Sequence, residues 1–399
     1  MTCFFSNIPK APVDSILGLT ASFLKDPRKS KVNLSVGIYK TEEGNTPVLS
    51  CVKEAEVFLL EKEDSKNYLP IEGDPLYLEE VGRLVLGKEL YLKLSSCLSS
   101  VQSIGGAGAL RLGAEFLKQG FQNLPCYISD PTWPNHRAIF TQVRLPVHNY
   151  PYYDFDKKNV SFEKMYDFFS SLPPHSIIVL HTCCHNPSGA DLDRKQWGLL
   201  ADLCLSKKLL PFFDAAYLGF DISFEEDSYP IRLFASKGIE FLASVSFSKN
   251  FSLYAERVGF FLLFSEGDSA ASVLSQLKQL VRRNYSNPPL HGARVVSEIL
   301  QIPALKCQWE LELRQMKERV DSLRALLVSR LFAAHTKTDY SYLLDKKGLF
   351  SFCNLTKIQV DRLIEEHGIY MTADGRMNIA GLNASNIDLV VKALVAVGG

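Results

Sequence analysis

In SVSFSKNFSLYAERVGF (residues 244–260), Lys249 follows an apolar run and a serine-rich turn, and Arg257 stands eight residues later. A lysine at a strand end can form a Schiff base with an aldehyde when its surroundings leave some of the amine neutral. Ser246, Ser248 and Arg257 add hydroxyls and a guanidinium fork suited to a phosphate. Taken alone, such a segment is more often a solvated loop lysine near a surface arginine. In PFFDAAYLGFD (211–221), Asp214 ends a buried apolar run and Tyr217 follows three residues on. A carboxylate there is costly unless a cation or strong donor meets it, and a protonated ring nitrogen is one such partner. A helix-capping Asp with a packed Tyr is the ordinary alternative.

The remaining candidates are individually weaker. SIGGAGALRLGAEFL (103–117) runs a glycine turn into an amphipathic helix whose first N–H groups can cradle a phosphate, although Gly105, Gly106 and Gly108 do not match a dinucleotide fingerprint. Trp133 and His136 in DPTWPNHRAIF (130–140) offer a flat stacking face beside an imidazole. Arg376 in GRMNIAGL and Arg282 in LVRRNYSNPPL each suit a carboxylate, or else a surface ion pair. Together these residues meet the needs of pyridoxal phosphate acting on a dicarboxylic or related amino acid.

Elements of a particular kind must position them. Apolar runs at 176–184, 209–217 and 241–249 alternate with helix-length segments, which predicts βαβ units and a mainly parallel sheet. Such sheets carry functional residues just past the carboxyl ends of their strands. In 309–332, Met316, Val320, Leu323, Leu327 and Leu331 make one apolar stripe on a long helix. The expected division is an N-terminal arm and part of a small domain (1–38), a large cofactor-binding domain (39–308), and a linking helix with the small domain (309–399). The arm, with paired Phe and two Pro, reads as packing on a second subunit.

Composition narrows the partners. Lys plus Arg equals Asp plus Glu at 44 each, which leaves no basic surplus for nucleic acid or an anionic membrane. No apolar run approaches a membrane span, and the first residues lack a signal-peptide pattern. Nine unpatterned Cys read as reduced thiols, so a cytoplasmic protein is expected.

The order and spacing of Tyr68 in NYLPIEGDPLY, GGAGAL, PTWPNH, HNPSG, DAAYLGF, SFSKNFSLYAERVG, YSNPPLHGARVV and GRMNIAGL resemble the class I aminotransferases, closest to their aspartate and aromatic amino acid branch. The resemblance runs from residue 13 to the C-terminus. It implies an α/β fold of the type I pyridoxal-phosphate transferases: a large domain with a mainly parallel sheet flanked by helices, and a smaller α/β domain. It implies a homodimer with shared active sites and amino acid and 2-oxo acid substrates. The reaction is then a ping-pong exchange between aspartate and/or aromatic amino acids and 2-oxoglutarate, through a Lys249 Schiff base.

By the same resemblance Lys249 moves the proton, Asp214 holds the ring nitrogen with His136 behind it, and Asn186 and Tyr217 bind the phenolic oxygen. Trp133 stacks on the ring. Ser246, Ser248, Arg257 and the backbone at Gly106 and Ala107 hold the phosphate, with Tyr68 reaching in from the partner. Arg376, helped by Gly37, binds the α-carboxylate, and the partner-supplied Arg282 binds the distal carboxylate, with Asn287 nearby. The phosphate turn departs from the family at Ala107, where a hydroxyl is common, which predicts weaker cofactor retention. Tyr285 stands where relatives often carry Trp.

Three other readings compete: a lyase or decarboxylase on the same fold, a silent binding protein, and a metal site at His181, Cys183, Cys184 and His185. Adjacent Cys183 and Cys184 lack the gap that lets paired thiolates face one zinc, so no metal is expected.

Overall fold

The computed structural model describes residues 4–11, 16–121 and 123–398. The arm expectation for residues 1–3 and 12–15 lies outside the described residues. Seven strands form the central sheet: β1 (Leu98–Ile104), β2 (Cys126–Asp130), β3 (Val147–Pro151), β4 (Ile177–His181), β5 (Leu210–Ala215), β6 (Phe241–Ser246) and β7 (Val258–Phe264). Their spatial order is β1-β7-β6-β5-β4-β2-β3. Only β7 runs against its neighbours, pairing antiparallel with both β1 and β6. The others are parallel, as βαβ connections require.

Every residue of β4, β6 and β7 is buried, which explains why these strands read as continuous apolar runs. The sheet has a core on each face. Phe212, Val179 and Phe261 point to one, where helix α1 (Gly105–Gly120) packs. Phe213, Leu180 and Phe260 point to the other, which α2 (Arg194–Lys207) covers with Trp197 and Leu200. Gly113 lets α1 lie close, since a Cβ there would collide with Phe212.

Helix α3 (Ala270–Asn284) carries Arg282 in its last turn. The long helix α4 (Pro303–Ala333) buries the expected stripe and adds Trp309 and Leu313 to it. It begins at Pro303, ahead of the stretch read from periodicity, because proline suits a first helical turn. Beyond it, Phe350–Phe352 pairs antiparallel with Arg376–Asn378. Ile369–Tyr370 pairs parallel with Val32–Asn33, so the chain's two ends are joined. Asp26 strengthens the joint by accepting from Tyr370 Oη and Arg28 Nε.

Candidate active site

Functional side chains gather where the parallel strands end. Asp214 is the penultimate residue of β5, Lys249 is three residues past β6, and Asn186 is five past β4. Because β7 is reversed, its first residue Val258 pairs with Ile104, and Arg257 arrives at the same sheet edge as Gly105. Gly105 has φ +65°, and a Cβ there would sit 2.5 Å from Arg257 Nη2. Only glycine permits both the turn and the approach.

A cavity of 240 Å³ opens there. It is lined by Gly37, Gly106, Ala107, Trp133, Asn186, Asp214, Tyr217, Ser246, Ser248, Lys249, Arg257 and Arg376. Of the residues expected to touch cofactor or substrate, all line it except Tyr68 and Arg282, while His136 stands behind Asp214 and Asn287 beside Arg282. Ile16, Leu110, Asn135, Ala216 and Phe350 complete the lining. Asn135 and Ala216 adjoin residues singled out from sequence, whereas nothing local marks Phe350, which arrives from a distant strand. A larger cavity of 580 Å³ lies near Arg83, Lys306 and Trp309, but it holds none of these groups. Chemistry, not volume, selects the smaller one.

Burial lowers the Lys249 amine to about 8, the charge of Asp214 raises it and that of Arg257 lowers it further. Its Nζ lies 4.9 Å from the centre of the Tyr217 ring. Burial would raise Asp214, but hydrogen bonding and charge from His136, with His181 and Lys249, outweigh it and keep the carboxyl below its ordinary value. His136 Nε2 meets Asp214 Oδ2 at 3.0 Å, and Thr132 Oγ1 meets His136 Nδ1 at 2.8 Å. Asp214 is therefore held ionised with one face toward the cavity.

The anion-binding end is built from donors. Arg257 Nη1 and Ser246 Oγ both donate to Ser248 Oγ, at 3.3 and 3.2 Å. The first turn of α1 presents N–H groups beside them, and among the described residues no acidic side chain lines this end. At the far end, Arg376 Nη1 donates to Asn186 Oδ1 at 3.0 Å and Nη2 to the Ser35 carbonyl at 2.7 Å. Its guanidinium lies 4.2 Å from the Phe350 ring centre, while Nε is buried without a hydrogen-bond partner among the described residues. A buried unmatched donor is costly, and a carboxylate satisfies it.

Tyr68 and Arg282 lie outside this cavity, yet near each other. Tyr68 is 91% exposed. Arg282 is exposed, and its Nη1 donates to Ser286 and Asn287. Asn287 Nδ2 donates in turn to the carbonyl of Leu69, at 2.7 Å.

Strand β4 stops at His181, so the strand does not extend through the whole apolar run to residue 184, and Cys183 and His185 lie beyond it. The His181 and His136 rings are 5.1 Å apart. Burial pushes the Cys184 thiol up to about 12 and raises the Cys183 thiol well above its ordinary value, so neither offers a thiolate near neutrality. Among the described residues, His136, His181 and Asp214 are close enough to surround a cation. That arrangement shares its carboxylate with the His136 hydrogen bond.

Pyridoxal phosphate fits the arrangement: donors at one end for a phosphate, Asp214 for a ring nitrogen, and an amine of lowered pKa for the aldehyde. The chain matches the family model "Aminotransferase class I and II" over residues 29–394. It is 45% identical over 394 residues to an aspartate aminotransferase of Pseudomonas aeruginosa, covering 98% of this chain and 99% of that protein. An aromatic-amino-acid aminotransferase of Escherichia coli is 43% identical over 395 residues, covering 98% and 100%. The crystal structure of an aromatic-amino-acid aminotransferase from Burkholderia pseudomallei, covalently bound to pyridoxal phosphate, superposes with a TM-score of 0.96. That structure is 43% identical and covers both chains completely.

Proposed function

The chain belongs to the class I and II aminotransferases and is a pyridoxal-phosphate enzyme, and we propose that the Lys249 cavity exchanges amino groups between aspartate or aromatic amino acids and 2-oxoglutarate. The observation that carries this is one cavity holding a lysine lowered to about 8, an ionised Asp214, and an Arg376 with an unmatched donor.

When bound, the cofactor supplies an aldehyde and an electron-withdrawing ring that make the amino acid's Cα–H acidic. Asp214 keeps a proton on the ring nitrogen, and His136 holds that carboxylate in place. Lys249 Nζ would take the Cα proton and return it to the former aldehyde carbon, two bonds away across the nitrogen, work suited to an amine near 8. Asn186 and Tyr217 donate to the phenolic oxygen, and Trp133 covers one ring face. Ser246, Ser248, Arg257 and the amides of Gly106 and Ala107 grip the phosphate. Arg376 takes the α-carboxylate. A side chain at Gly37 would come within 2.5 Å of Phe350 Cζ, so its absence keeps that end open. The exchange is ping-pong: the first 2-oxo acid leaves before the second enters.

In this reading Tyr68 and Arg282 serve the cavity of a second copy, making a homodimer with shared sites. Exposed Phe4, Phe5 and Ile8 support it, since such side chains gain by burial against a partner. The division at 1–38, 39–308 and 309–399 belongs to the same proposal, and the joining of Val32–Asn33 to Ile369–Tyr370 supports its small domain. So does a cytoplasmic location: no described helix is long and apolar enough to cross a membrane, and the described cysteines are free.

The test is a panel of amino donors against 2-oxoglutarate with the yellow holoenzyme. Glutamate should form with aspartate, phenylalanine or tyrosine as donor, and the visible band should shift on adding donor alone. Release of ammonia or carbon dioxide in place of glutamate overturns the reading.

A further inference from the structure

Asp191 lies five residues beyond Asn186 and does not line the cavity. Its carboxylate accepts from two successive backbone amides, Cys184 N at 2.6 Å and His185 N at 2.9 Å. Cys184 sits at φ +52°, a left-handed conformation that residues with side chains seldom adopt. Strand β4 has already ended at His181, so sheet pairing does not hold this turn. The His185 ring is fixed separately: Ser129 and Ser188 bond its two nitrogens, and Tyr152 stacks on it. Those contacts orient a ring, whereas the Asp191 carboxylate orients the backbone that delivers Asn186.

We propose that Asp191 is a positioning residue for amino transfer: by gripping the Cys184 and His185 amides it aims Asn186, and through Asn186 the guanidinium of Arg376. This rests on the reading above, in which Asn186 and Arg376 meet cofactor and substrate.

The two-point grip depends on ionisation, because each amide uses one carboxylate oxygen and protonation turns one of those oxygens into a donor. Burial pushes Asp191 up to about 6. The Cys184 and His185 amides pull it down, and Asp221, from the loop after β5, and Asp227, at the end of the short helix Phe224–Asp227, push it further up. Lys346 and Lys347, from the segment before Phe350, face it with positive charge. Since the folded value lies above the ordinary 3.8, the group's contribution to stability is full below about 4 and lost as pH rises through 6. Acidification from 7 to 5.5 therefore loosens the turn without any loss of fold stability from this group. A purely structural carboxylate would not separate the two.

The experiment compares holoenzyme Asp191→Asn with wild type at pH 8 and 5.5. Three quantities are read: kcat/KM for aspartate, Kd for succinate as an unreactive dicarboxylate, and Tm. A turn displaced by a fraction of an ångström should lower kcat/KM about 10- to 100-fold at pH 8 and weaken succinate in parallel. The variant should lack the wild-type component of acid decline that belongs to Asp191, with Tm unchanged or raised. Asp227→Asn is the comparison, because Asp227 grips the amides of Gly219, Asp221 and Ile222 away from Asn186. Wild-type kcat/KM in Asp191→Asn at pH 8, an unaltered acid decline, or losses matching Asp227→Asn overturn the proposal. If Asp191→Asn does not fold, Cys184→Gly carries the test. Glycine holds a left-handed φ unaided, so a shallower acid decline supports the proposal and an unchanged one overturns it. A wild-type enzyme whose band ignores aspartate defeats the functional reading instead.

Discussion

The cavity around Lys249 and the surface carrying Tyr68 and Arg282 differ in how finished they are. In the cavity, Asp214, Asn186, Ser246, Ser248 and Arg376 are buried, and hydrogen bonds fix each one. On the surface, Tyr68 is bare, and among the described residues the exposed Arg282 bonds to Ser286 and Asn287 of the turn after its helix, which Asn287 ties to Leu69. One region is preorganised by its own fold. The other is an exposed pair, the form that the proposed sharing of sites across a two-fold axis would take in one chain.

The largest effect should come from the finished region. Lys249→Ala removes the group that moves the proton, and turnover of every donor should fall by about 10⁴-fold or more. Multiple turnovers at wild-type rate, followed by glutamate formation, would show that the cavity's central residue had been misassigned. Because loss is expected for aspartate and phenylalanine alike, this variant also provides the baseline against which a selective defect is recognised.

Arg282→Ala should act on one substrate class. Loss of a charged partner costs roughly 2–4 kcal/mol, or about 30- to 1000-fold in kcat/KM, for aspartate and glutamate, with phenylalanine nearly spared. Mixing Lys249→Ala and Arg282→Ala chains and allowing exchange should restore aspartate turnover, since a hybrid dimer regains one intact site. Equal losses for phenylalanine, or no recovery on mixing, would break the comparison by placing Arg282 in its own chain's chemistry or nowhere near it.

What the sequence made legible follows the same divide. Lys249 and Asp214 could be found because polar residues closing apolar strands are expensive unless used, whereas Asn186 was legible only through the family resemblance of HNPSG. Arg257 could be found through its spacing, although the reversed strand that returns it to Gly105 could not. Phe350 gives no local sign, since its contact with Arg376 depends on folding residues far apart in the chain. Asp191 looks like any loop aspartate, and its function lies in backbone amides that side-chain patterns do not encode. The termination of β4 at His181 was hidden too, because period-two patterning has no marker for where pairing ceases.

A smaller effect should track pH. With the Lys249 amine at about 8, its neutral fraction falls about tenfold per pH unit below that value. The rate at which the apoenzyme captures added pyridoxal phosphate, followed by its visible band, should therefore rise with pH and level off above about 8. A midpoint near the ordinary lysine value would mean that burial is not tuning this amine, and the cavity would be less finished than its hydrogen bonds imply.

The smallest expected change probes whether even the finished region has a gap. Ala107 lines the phosphate end in the first turn of α1, where a hydroxyl would add a donor to those of Ser246, Ser248 and Arg257. Ala107→Ser should tighten the cofactor by about 1–2 kcal/mol, roughly 5- to 30-fold in Kd, if the phosphate still has an unmatched lone pair. Serine is a poorer helix former than alanine by a few tenths of a kcal/mol, but near a helix start its oxygen finds free N–H groups, so the fold should tolerate it. The measurement is the slowed loss of the visible band on dilution, with kcat for aspartate unchanged. An unaltered loss rate would show that the existing donors already saturate the phosphate, leaving Tyr68 on the unfinished surface as the contact that limits cofactor retention.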